Sequence, residues 1–145
     1  MAASDAGAEA FLEQSHVGWA AFITGDPEPA ERMFSRSDDV SLGNPFGPFV
    51  RGWSQSKAVM ERAAGYWREG EVVGFERIAT YGTDNLVCFA EVERYRAKIG
   101  GNSEPAVVAL RVTTVVRPED DGWKIVCRHA DPIMSARPAE SVLQG

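Results

Sequence analysis

Apolar residues in the first half of the chain recur at helical spacing. Phe11, Leu12, Ser15, Trp19, Phe22 and Ile23 fall three or four apart and make one stripe over about residues 6–24, as in a helix that buries one side. Gly25 is placed to end it as a left-handed cap. Asp26 before Pro27 is a restart signal, an N-cap followed by a proline whose missing N–H costs nothing there. A short second helix should turn Ala30, Met33 and Phe34 inward. Residues 39–52 mix Gly and Pro with apolar positions, as a short hairpin does. Ser54 is placed to cap a third helix that buries Val59, Met60, Ala63, Tyr66 and Trp67 and closes at Gly70.

In the second half the period drops to two. Runs at about 71–81, 86–98, 105–117 and 122–131 are separated by turn-forming clusters at 82–85, 100–104 and 119–122. Long strands joined by short connections pair antiparallel, because parallel pairing needs a crossover of a dozen or more residues. Helices first and then a meander of strands give an α+β fold, with a curved, mostly antiparallel sheet wrapped around the N-terminal helices. The organisation expected is one domain over 6–134, with flexible ends at 1–5 and 135–145.

Composition narrows the setting. The 145 residues carry fifteen Lys and Arg against twenty-one Asp and Glu, a net charge of −6. No basic stripe is long enough to neutralise phosphates, which argues against a nucleic-acid partner. No apolar run approaches the roughly 20 residues of a membrane span. The first residues, MAASDAGAEA, lack the positive charge and apolar core of a signal peptide. A cytoplasmic location is expected. Cys88 and Cys127 are read on opposite sheet faces, which would keep them from pairing.

Alternation assigns candidate chemistry. In WKIVCRHAD (123–131) the odd positions hold Trp123, Ile125, Cys127, His129 and Asp131. Taken as the face toward the helices, they carry an imidazole and a carboxylate to the strand's end. Val107, Ala109, Arg111, Thr113 and Val115 share a face of the preceding strand. Val87, Phe89, Glu91, Glu93 and Tyr95 share one of the strand before that. If Arg111, His129, Asp131 and Glu91 or Glu93 point inward, an apolar hollow holds an ionisable cluster that either pairs internally or awaits a polar ligand. Asp131 or His129 would then move a proton, and Arg111 would hold developing negative charge. Trp19, Phe22, Phe46, Trp53 and Trp67 would wall the hollow against a small apolar molecule. Asn44 is the neutral polar residue placed to reach it. Phe89, Glu91, Thr113 and Cys127 are the strand residues expected to complete the lining. The plainer alternative is a structural Arg111–glutamate pair in a non-catalytic ligand-binding or dimerisation module. Two isolated histidines and two cysteines give no metal spacing, and no nucleotide or hydrolase motif is present, so neither metal nor cofactor is expected.

The segments SDDVSL (37–42), FVRGW (49–53), VER (92–94), LRVT (110–113) and GWKIV…RHAD (122–131) occur in an order that resembles the nuclear transport factor 2-like superfamily. That superfamily includes ketosteroid isomerases, limonene epoxide hydrolases, SnoaL-like polyketide cyclases and the association domain of calcium/calmodulin-dependent kinase II. The SnoaL-like branch is nearest, over roughly residues 8–134. The resemblance implies a cone-shaped α+β fold, usually a homodimer through the outer sheet face. It matches Glu93, Arg111 and His129 to recurring positions. If the chain is an enzyme, the resemblance implies cofactor-free acid–base chemistry of isomerase, cyclase or epoxide-hydrolase type.

Overall fold

The computed structural model describes residues 3–144. Helix α1 runs over Ala3–Phe22 and α2 over Glu28–Glu31. Ala8, Leu12, Ser15, Trp19 and Ile23 are buried at helical spacing, as the stripe demands. Gly25 ends this region in the left-handed conformation at φ 103°, where a side chain would be strained. Gly18 lets the two helices touch: a Cβ there would meet the Ala30 backbone at 3.2 Å. Helix α3 covers Trp53–Ala64 and buries Ser56, Val59, Met60 and Ala63. Its N-cap is Gly52 at φ 90° rather than Ser54. The helix also stops earlier than its apolar pattern suggests. Trp67 already belongs to the next strand, Tyr66 is partly exposed, and Gly70 lies inside that strand against the Ile23 carbonyl.

The hairpin is β1 (Ser41–Gly43) with β2 (Phe49–Arg51). Four long strands follow: β3 (Trp67–Thr83), β4 (Leu86–Ile99), β5 (Ala106–Glu119) and β6 (Gly122–Asp131). They form one six-stranded sheet in the order β2-β1-β6-β5-β4-β3. All neighbours are antiparallel except β1 and β6. Three register shifts along β3 bend and twist that strand, which helps the sheet curl around α1 and α3. The core lies in the hollow of this curl, where Phe11, Trp19, Phe34, Met60, Phe89, Leu110 and Ile125 meet. Residues 139–142 make a 3₁₀ turn. Of the ends expected to be flexible, residues 1, 2 and 145 lie outside the described residues, and α1 begins at Ala3, before the expected start.

One irregularity decides which chemistry faces inward. On β5, Leu110, Val112, Thr114 and Val116 are buried, while Arg111 and Thr113 are exposed. Between Val115↔Cys127 and Val116↔Ile125 the β5–β6 register slips by one residue at Val126. Such a bulge resets the alternation. Ile125 points inward, but beyond the bulge the inward residues are Arg128 and Ala130, not Cys127, His129 and Asp131. The expectation that Arg111, His129 and Asp131 line the hollow is thereby corrected, and so is the inward placement of Thr113 and Cys127. Cys88 and Cys127 both register against Val115, from opposite sides, and so share the outer face. The two cysteines are free. Two strand spacings part them by about 9.5 Å, beyond the reach of a disulfide.

Candidate functional site

The inward slot given up by His129 goes to an arginine. Arg128 extends into the core and grips Glu93 of β4 end-on, with Nη1 donating to Oε2 at 2.9 Å and Nη2 to Oε1 at 2.8 Å. The Tyr95 hydroxyl donates to the same Oε1 at 2.5 Å. The guanidinium carbon sits over the Trp19 ring, 3.8 Å from its centroid, a favourable contact for a desolvated cation. The side chains of Arg128 and Glu93 are 7% and 1% exposed, so each charge depends on the other for its solvation.

Burial alone would raise the Glu93 carboxyl, but the charge and hydrogen bonds of Arg128, with the Tyr95 hydroxyl, hold it below the ordinary value of 4.5. Burial and the charge of Glu93 push the Tyr95 phenol well above its usual range. Burial works against the Arg128 cation, but Glu93 outweighs it and the guanidinium stays charged. At neutral pH the group is a carboxylate, a guanidinium and a neutral phenol, with no net charge.

Arg128 and Tyr95 are the polar floor of an apolar cavity walled by Trp19, Phe22, Leu42, Met60, Trp67 and Leu110. Asn44, Pro45 and Phe46, from the β1–β2 turn, complete its lining. The cavity measures about 40 Å³, on a scale where one water needs roughly 10–15 Å³. The guanidinium has five N–H groups, and Glu93 accepts from two of them.

A second polar cluster lies between α1 and β3. His16 Nε2 meets Glu91 Oε1 at 2.9 Å, and its ring stacks on Phe75 at 3.8 Å. Arg77 reaches Glu91 at 3.4 Å and pairs with both carboxylate oxygens of Glu9. None of these side chains borders the cavity.

A SnoaL-like domain model matches residues 13–135. The chain belongs to the SnoaL-like family. No curated protein matches the sequence. Among solved structures, a nuclear transport factor 2-like superfamily protein from Salmonella enterica superposes with a TM-score of 0.74 at 19% identity, over 96% of this chain and 99% of that one. A ketosteroid isomerase-like protein from Erwinia carotovora atroseptica gives 0.71 at 14%, over 90% and 96%. A candidate scytalone dehydratase from Novosphingobium aromaticivorans gives 0.72 at 13%, over 94% and 100%. At these identities the likeness is one of fold, and it establishes the nuclear transport factor 2-like α+β cone.

Within this SnoaL-like cone the expected site residues divide. Trp19, Phe22, Asn44, Phe46 and Trp67 border the cavity. Glu93 stands behind Arg128 and Tyr95. Phe89 is wholly buried core, Glu91 is held by His16 and Arg77, and Trp53 packs beneath Arg36. On the outer face Arg111 and Asp131 do meet, through two hydrogen bonds of 2.8 Å, beside Thr113 and His129. The Arg111 hydrogen bonds lower the Asp131 carboxyl, and His129 stacks on Phe49. Arg128 and Tyr95 were missing from the expected set. A signal for Arg128 existed: the even positions of β5 are free of charge while the odd ones hold Arg111 and Arg117, so Arg111 and its strand partners belong outside. Among the described residues no helix is long and apolar enough to cross a membrane.

Proposed function

We propose that this SnoaL-like domain binds, inside its cone, a small uncharged and largely apolar molecule whose hydrogen-bond acceptor meets Arg128. One observation carries the reading: the guanidinium bordering the cavity is already neutralised by Glu93, yet that contact leaves donors over. A carboxylate ligand would have to compete with Glu93, and a cation would meet Arg128 head-on. A carbonyl, ether or hydroxyl oxygen needs only a hydrogen bond, and the apolar walls accept the rest of it.

Acid–base catalysis takes second place. A general base works best with a pKa near the operating pH, whereas Glu93 is held low by two partners. His129 and Asp131, the sequence candidates for that role, face away from the cavity. Exposed Ile78, Tyr81 and Leu86, neighbours on the outer side of β3 and β4, favour pairing of two copies through the outer face.

The test compares three molecules of equal chain length: 2-hexanone, hexanoate and hexylammonium. A ligand that binds only the folded state raises the melting temperature with concentration. 2-Hexanone should raise it, and the two ions should not. Stabilisation by hexanoate above 2-hexanone, or by none of the three, overturns the proposal.

A further inference from the structure

A second apolar hollow of about 170 Å³ adjoins the cavity, lined on its far side by Ile99, Val108 and Pro132. The two share four wall residues: Pro45, Phe46, Trp67 and Leu110. Trp67 and Leu110 are buried and fixed in β3 and β5. Phe46 is different. It sits at the tip of the β1–β2 turn with 43% of its surface exposed, and the edge of its ring rests on Tyr66 at 5.0 Å between centroids.

The backbone beneath it is tied down. The Phe46 N–H donates to Asn44 Oδ1 at 2.9 Å, the Gly47 N–H to the Asn44 carbonyl at 3.0 Å, and Arg62 Nη2 to the Gly47 carbonyl at 3.1 Å. A large ring on a fixed turn, between two hollows that otherwise share their walls, makes a partition. The preceding reading places the polar end of a ligand at Arg128, and its apolar end then lies among walls that include this ring.

We propose that Phe46 sets the length of ligand the cone accepts: its side chain closes the inner chamber, and removing it joins the two hollows into one longer site. The proposal rests on the reading of the cavity as a ligand site anchored at Arg128. Its ligand is then a compact neutral molecule, rejected when its apolar part extends beyond the ring.

The experiment titrates the unaltered protein and Phe46→Ala with methyl ketones from 2-pentanone to 2-undecanone. Binding is read from the fluorescence of Trp19 and Trp67 and from melting temperature. Each methylene that becomes buried should tighten binding by about fourfold. In the unaltered chain this gain stops after the first few carbons. In Phe46→Ala it continues, so that the affinity ratio of 2-undecanone to 2-hexanone rises at least tenfold. Phe46→Trp keeps the early stop. Length profiles that coincide in all three proteins overturn the partition alone. A chain whose melting and fluorescence respond to no ketone of any length overturns the ligand reading beneath it, and the partition with it.

Discussion

Among the arginine–carboxylate pairs of the sheet, two are bidentate with nearly equal bond lengths and lie on opposite faces. Arg128 and Glu93 meet at 2.8 and 2.9 Å inside the cone, and Arg111 and Asp131 meet at 2.8 Å twice outside it. Their surroundings differ. The inner pair is stripped of water, while the Arg111 side chain is 55% exposed. Bond lengths alone would rank the pairs as equals. Solvation separates them, because a surface pair competes with water and salt, whereas a buried charge without its partner has nothing to replace its hydration.

The largest effect should come from splitting the inner pair. Arg128→Met leaves Glu93 buried and uncompensated, and should cost about 3–5 kcal/mol, a fall in melting midpoint on the order of 10 °C for a domain of this size. Denaturant unfolding checks the first figure and calorimetry the second. Removing the whole polar group at once, with Glu93→Leu, Tyr95→Phe and Arg128→Met combined, should recover most of the loss, since matched apolar groups need no partners. A triple variant as unstable as the single one would mean that the pair itself, rather than its breaking, governs stability.

A smaller effect follows from pH. The Glu93 carboxyl is lower in the folded chain than the ordinary 4.5. Its contribution is therefore present above that value and lost as pH falls through its folded value. In Glu93→Gln the acid side of the stability curve, below about pH 4.5, should flatten by up to one proton. Equilibrium unfolding across that range reads the slope. An unchanged slope would place the acid sensitivity in other carboxylates, Asp39 and Asp131 among them, which are also held low.

The smallest effect belongs to the outer pair. Arg111→Met and Asp131→Asn should leave the monomer's melting midpoint within experimental scatter and its ketone binding unaltered, by the same melts and titrations. Loss of ketone binding in Asp131→Asn would reconnect the outer face to the cavity and erase the contrast between the two.

The fold was legible because it rests on long repeating patterns. The α1 stripe, the hairpin at 39–52 and the four strand runs all form. The site was less so, because it turns on single residues. At Val126 one extra residue exchanges the faces of a strand, and nothing in WKIVCRHAD itself marks the place; the signal lay on the partner strand, in the charge-free even positions of β5. Trp67 and Tyr66 were misplaced for a related reason. A tryptophan in step with Ala63 reads as helix, yet its burial is satisfied from the first position of β3, against Tyr95. Trp19 and Phe22 are legible as cavity walls because large apolar residues on the buried stripe of a covering helix have few other places to go. Arg128 was not, because an arginine among apolar residues reads as surface until its carboxylate is seen.

The parallel pairing of β1 with β6 has a consequence for how the molecule is made. Leu42 lies beside Arg128, and the Met33 carbonyl and Ser35 N–H bond the backbone of Ile125. A segment from early in the chain thus takes its seat on the last strand. Contacts so distant along the chain close late in folding. On the ribosome, the hairpin must wait with one edge unpaired until the final strand emerges, a state in which nascent chains are prone to stick to one another.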